Sequence, residues 1–214
     1  DILKFNNLYW GIFLYWLSIS LILVFFIIIV GGLTRLTNSG LSITEWELLK
    51  GIFPPFSKSS WEIYFDQYKK IPQYKLLNFN MSLEEFKVIF YWEYFHRILA
   101  RTIGLFFLIP LIYFYISKKI KKNYLKISYF IFLLIILQGI IGWFMVKSGL
   151  VNNITVSHYR LSVHLSTAFL IIASIYWLLL NITFKNEKVF FKFSFQNIPF
   201  IFLILIIFYS IFRN

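Results

Sequence analysis

Four apolar runs, each long enough to cross a bilayer, constrain this chain more than any other feature. They fall at about Trp10–Val30, Ile98–Ser117, Tyr124–Val146 and Leu161–Ile182. A hydrocarbon core about 30 Å thick takes roughly 20 apolar residues of helix at about 1.5 Å rise per residue. Backbone polar groups in that layer find no water, so each run must satisfy its own as a helix. The expected fold class is therefore all-α, a polytopic membrane helical bundle. Composition agrees, with 59% hydrophobic residues and a mean hydropathy of +0.73. The first run is too long for a signal-peptide core and lacks a small-residue cleavage pattern. A fifth run starts near Pro199 and reaches Asn214, with Phe200–Phe212 too short to span comfortably. With no Met at position 1, this reads as part of a longer chain: residues 1–182 form a four-helix membrane unit, and 183–214 form a loop and the start of a fifth span.

Net charge is +12, but its distribution argues against nucleic acid. Lys118, Lys119, Lys121, Lys122 and Lys126 cluster in one short loop without an acid, and the loop Lys185–Lys192 is also net positive. Such loops belong on the cytoplasmic or matrix side, which puts the N-terminus inside. Segment 31–95 has seven basic and seven acidic residues, so no bias opposes its translocation. The absence of cysteine excludes disulfides and thiolate metal ligands.

Segment 31–95 is too long for a structureless loop. Three S-x-x-E patterns predict capped short helices in it: Ser42 with Glu45, Ser59 with Glu62, and Ser82 with Glu85. The first two helices read as interfacial, since Trp46, Trp61, Tyr64 and Phe65 stand beside charges, and Pro54-Pro55 and Pro72 separate them. No breaker occurs between Leu83 and Gly104, so the third should continue directly into the second span. A weak repeat accompanies this pattern. Gly31-Gly32 leads into Ser39-Gly40-Leu41, Gly139 and Gly142 lead into Ser148-Gly149-Leu150, and each precedes a helix opening with His and Arg. This suggests a duplicated hairpin whose glycines mark the exits of spans one and three and permit close approach.

His96 lies 22 residues before Lys118 and His164 lies 21 before Lys185, so both imidazoles sit roughly 32 Å from one face. Ionisable groups at membrane depth are functional candidates by default. Two neutral imidazoles at one depth, aromatic surroundings and cations near the aqueous rim suit a heme with two axial nitrogens. Arg97, Arg101, Arg35, Lys147 and Arg160 are the rim cations. Glu93 precedes His96 by three residues and Arg97 by four, placing carboxylate, imidazole and guanidinium together. Burial raises the proton affinity of such a carboxylate and an arginine opposes it, poising Glu93 for proton transfer. The bland alternative is an interfacial Glu93–Arg97 pair. His158, at the start of its helix, reads as solvated or interfacial, and Trp92, Tyr94 and Trp143 as interface anchors or heme packing rather than redox relays. A bis-histidine b-type cytochrome that only passes electrons, or a proton-coupled transporter without heme, would use some of the same residues.

The run Gly31-Gly32-Leu33-Thr34-Arg35-Leu36-Thr37-Asn38-Ser39-Gly40-Leu41-Ser42 with Glu45-Trp46, the block Trp92-Glu93-Tyr94-Phe95-His96-Arg97 with Arg101, and Tyr159-Arg160-Leu161 with His164-Leu165 resemble the heme A synthases of bacterial and mitochondrial inner membranes. The cysteine-free outer segment resembles the proteobacterial and mitochondrial branch. The resemblance implies oxidation of a methyl group of heme O to a formyl group, giving heme A for terminal oxidases. It implies an eight-span fold in two pseudo-symmetric halves, of which this chain supplies the first and the start of the second. His96 and His164 match the histidine pair of the substrate heme site, and Glu93 matches a carboxylate assigned to the oxidation. A heme b cofactor would sit in the second half. The implied partners are a heme O synthase, an electron donor and oxidase assembly factors, in the bacterial cytoplasmic membrane rather than the mitochondrial one.

Overall fold

The computed structural model describes residues 2–45, 50–152 and 154–184; Trp46, the Lys185–Lys192 loop and the expected fifth span lie outside them. In chain order the helices are α1 (Ile2–Leu36), α2 (Lys58–Tyr68), α3 (Pro72–Leu77), α4 (Leu83–Ser117), α5 (Lys122–Asn152) and α6 (His158–Thr183), with a 3-10 turn at Lys50–Ile52 before α2. No strand occurs among the described residues. Four helical stretches are long and apolar enough to cross a membrane: Leu8–Leu36, Leu83–Ser117, Lys122–Leu150 and His158–Thr183. The protein is a polytopic membrane helical bundle. Around the bundle, α1 packs on α4 and α6, and α5 packs on the same two.

The helices outrun the apolar segments at their ends, and local chemistry explains where they stop. α1 does not end at Gly31-Gly32 but continues to Leu36. There Asn38 takes a left-handed conformation (φ 53°). Its N–H donates to the Arg35 carbonyl at 3.2 Å, and the Ser39 N–H donates to the Thr34 carbonyl at 3.0 Å. This pair of bonds is a Schellman termination, which accepts asparagine where a β-branched residue would be strained. α5 likewise passes through Gly139 and Gly142 to Asn152. The glycines expected to mark exits therefore lie inside helices.

Of the three predicted capping boxes, only Ser82–Glu85 forms, with the Ser82 hydroxyl accepting from the Glu85 N–H and the Glu85 carboxylate accepting from the Ser82 N–H. α2 is capped by Ser57, whose hydroxyl accepts from the Ser60 N–H at 3.1 Å, so the cap lies two residues ahead of the expected Ser59. No helix begins at Ser42; its hydroxyl is drawn away to α4. As expected, α4 runs without interruption from outside the apolar run to Ser117.

Pro110 lies within α4. Proline has no N–H to offer the carbonyl four residues earlier, which is that of Phe106. The Trp16 indole N–H of α1 donates to this carbonyl at 3.1 Å and removes the deficit.

Two apolar clusters divide the interior. The larger joins Phe13, Trp16, Leu17 and Val24 of α1, Ile103, Phe107, Leu111 and Phe114 of α4, and residues of α5 and α6 including Ile131 and Ile175. The smaller sits at the opposite end, where α2, the Ile71 cap of α3 and the first turns of α4 contribute Trp61, Phe65, Tyr68, Ile71, Phe86, Ile89 and Phe90, with Leu41, Ile43 and Val156. Tyr68 is fully buried there, accepts from Asn78 and donates to Gln73. Burial pushes its phenol above the usual range. This second core makes residues 37–45 and 50–82 a folded cap on the bundle.

Candidate functional site

Between the two clusters the bundle packs less tightly. On α4 no residue from Tyr94 to Thr102 is buried, and on α5 none from Ile135 to Ser148. On α6 the buried positions Ser162 and Ala168 flank a half-buried or exposed stretch. His96 and His164 lie at this level.

Each imidazole rests against a glycine of its hairpin partner. A Cβ on Gly31 of α1 would come to 3.2 Å from His96 Cε1, and one on Gly142 of α5 to 2.9 Å from His164 Cε1. Both glycines are therefore seats for a ring rather than helix ends. The Nδ1 atoms of His96 and His164 are buried without a hydrogen-bond partner. An unpaired buried polar atom costs about 1–3 kcal/mol. Imidazole nitrogens are also good iron ligands. Loose packing, glycine seats and imidazoles without bonding partners fit a flat ligand that accepts nitrogen donors. Among the described residues no group of three His, Cys, Asp or Glu side chains gathers as a metal site.

Glu93 sits one turn outside His96 and is 2% exposed. Its Oε1 accepts from Arg97 Nε at 3.0 Å and from Arg97 Nη2. Its Oε2 accepts from the Ser42 hydroxyl at 2.8 Å and from the Ile43 N–H at 2.9 Å. Four donors occupy a carboxylate that would otherwise be costly to bury. Arg97 also donates to the Ile43 carbonyl at 3.1 Å, and Arg101 donates to the Gly51 carbonyl at 3.1 Å. The Glu93, Arg97 and Arg101 face of α4 thus holds Ser42, Ile43 and Gly51.

The other predicted cations have different partners. Arg35, near the end of α1, approaches His158 Nδ1 at 3.5 Å. Arg160 donates to the Ser148 hydroxyl and lies over the Phe144 ring at 5.2 Å. Lys147 covers Trp143 at 4.9 Å. By their partners, Arg97 and Arg101 bind Ile43 and Gly51, whereas Arg35 and Arg160 contact His158, Ser148 and Phe144.

Two contributors were not singled out from sequence for these roles. Ser42 stood in a motif, but its bond to a carboxylate 51 positions away carries no local signal. Gln138 of α5 donates from Nε2 to the His164 carbonyl at 2.9 Å, while its Oε1 is buried without a partner. A lone polar residue one turn before Gly142 in an apolar span was a signal that could have found it.

Fold and site together define a polytopic helical membrane protein in which His96 and His164 are each set against a glycine of a neighbouring helix. Residues 14–212 match the family described as cytochrome oxidase assembly protein, and the chain belongs to that family. It is 53% identical over 193 residues to a heme A synthase of Pelagibacter ubique, covering 90% of this chain and 55% of that protein. It is 54% identical to the heme A synthase of Nitrosospira multiformis (78% of this chain, 47% of that protein) and 42% identical to that of Flavobacterium johnsoniae (81% and 52%). The chain spans about half the length of these curated relatives. No solved structure gives a significant match.

Proposed function

We propose that this chain forms the substrate-binding half of a heme A synthase, within residues 1–182, and that residues 183–214 lead into a second half carrying a heme b site. The substrate is heme O, whose methyl group is oxidised to a formyl group to make heme A for terminal oxidases. His96 and His164 hold its iron; Arg35 and Arg160, with Arg97 and Arg101 on the other flank, meet the carboxylates at its edge. The reading draws its main support from the paired seats, in which two imidazoles lie against Gly31 and Gly142 with their Nδ1 atoms unpartnered. In this reading the N-terminus faces the cytoplasm, the 31–95 segment faces outward across the bacterial inner membrane, and a heme O synthase, an electron donor and oxidase assembly factors are the partners.

Glu93 accepts a proton as the methyl group is oxidised. A specific observation favours a second role for it: its four donors make it the anchor of the Ser42–Ile43 turn.

The test is heme identity in the longer protein that contains this chain, produced in a strain without its own enzyme. Heme extracted from the purified protein should include heme O or its oxidised products. His96→Ala and His164→Ala should insert normally and lose heme A production. Heme A at the parental rate in either variant would refute the ligand assignment, and heme b alone in the parent would point to an electron-transfer cytochrome.

A further inference from the structure

The segment between the 3-10 turn and α2 carries an apolar surface that the paired-histidine site does not use. Ile52 is 40% exposed, Phe53 68% and Phe56 81%, and the two phenylalanine rings lie 6.3 Å apart. Pro54 and Pro55 stand between them. On a water-facing loop three such side chains in five residues would be a costly patch.

Two bonds fix the depth of this loop. Arg101 donates to the Gly51 carbonyl, and the Tyr94 hydroxyl donates to the Ile52 carbonyl. Arg101 is 16 residues before Ser117, where α4 ends, and Tyr94 is 23 residues before it. At about 1.5 Å per residue these positions lie about 24 and 34 Å from that end. They straddle the edge of a hydrocarbon layer about 30 Å thick. The loop is therefore held at the boundary between acyl chains and headgroups, on the side that carries α2 and α3.

The backbone chemistry suits that depth. Near hydrocarbon, every carbonyl or N–H that meets no water needs a protein partner. Here the carbonyls of Gly51 and Ile52 have side-chain donors, and Pro54 and Pro55 have no N–H to satisfy. Aromatic side chains are favoured at this level of a bilayer. We propose that Ile52–Phe56 is a membrane-interface wedge whose Phe53 and Phe56 rings insert into the lipid of the nearer leaflet, and that Tyr94 and Arg101 pin it there. The wedge then clamps the cap to the lipid surface beside the Glu93–Arg97 network.

This chain contributes no cysteine, so single cysteines would be placed in the longer protein that contains it, with any cysteine outside this chain replaced by serine. Phe53→Cys, Phe56→Cys and, as controls at charged, exposed positions on the cap and the start of α4, Asp66→Cys and Glu84→Cys would be labelled with a small fluorophore in phosphatidylcholine vesicles. Quenching by lipid bearing a nitroxide near its headgroup would be compared with quenching by iodide. Labels at 53 and 56 should lose emission to the nitroxide lipid and resist iodide, while those at 66 and 84 do the reverse. Iodide quenching at 53 and 56 equal to that at 84 would overturn the proposal by placing the loop in water. Resistance to both quenchers would overturn it in favour of a protein surface covering the rings. Adding Arg101→Gln to Phe53→Cys should reduce the nitroxide quenching; no change would remove Arg101 as the pin.

Discussion

In the α1–α4 hairpin an imidazole lies against a glycine one turn from a buried carboxylate, whereas in the α5–α6 hairpin the same contact has leucines for neighbours. Counting from each histidine, the position three before holds Glu93 in one and Leu161 in the other, and the position one after holds Arg97 and Leu165. The second hairpin compensates differently. Gln138, one turn before the seat glycine, donates to the His164 carbonyl, where the first hairpin has Ile27. The common element, an imidazole set in a glycine seat, is what a shared ligand would demand of both sides. The differing elements separate holding that ligand from acting on it and from shaping the cap above it.

The largest break in this comparison should come from Glu93, because its charge is paired and buried. Glu93→Gln places an amide NH2 against donors on at least one side, and breaking a buried pair costs about 3 kcal/mol. The Ser42–Ile43 turn should loosen, which proteolysis of segment 37–57 in membranes will register. Per unit of folded protein, heme O should accumulate while heme A falls; an unchanged ratio of the two would leave Glu93 as an anchor alone.

A smaller effect should distinguish the two seats. Gly142→Ala puts a Cβ 2.9 Å from the His164 ring, closer than packing allows, while Gly31→Ala puts one 3.2 Å from the His96 ring. The first should cost about 1–3 kcal/mol and lower heme content through ring displacement. The second needs only a slight shift, and the about 1 kcal/mol by which alanine is favoured over glycine in helices offsets it. Heme-to-protein ratios and thermal unfolding of the two variants check this; equal losses would mean that the seats are equivalent.

The smallest effect should come from Gln138→Leu. It removes the bond to the His164 carbonyl but also the buried, unpartnered Oε1, and replacing both by apolar surface changes stability by less than about 1 kcal/mol. A marked loss of heme with stability unchanged would instead show that Gln138 orients His164.

The membrane class was legible from sequence because apolar runs report the solvent directly, whereas one depth for His96 and His164 is an expectation from counting residues along helices. Helix termini were legible where the signal was local and complete, as at Ser82–Glu85. The same pattern misled at Ser42, whose hydroxyl had a stronger acceptor in Glu93 than any nearby N–H could offer, and at Ser59, where Ser57 was the better placed cap. The glycines of the two hairpins were correctly expected to permit close approach but were assigned to span exits. Sequence by itself determined which segments lie in lipid and which polar residues must be accommodated there, since burying them carries a cost wherever the helix goes. Tertiary structure alone decided that Gly31 faces His96, that Gly142 faces His164, and that Ser42 and Ile43 complete the shell of Glu93. Those pairings depend on how helices rotate and stack against one another, and rotation is set by the packing of all four spans and the cap together.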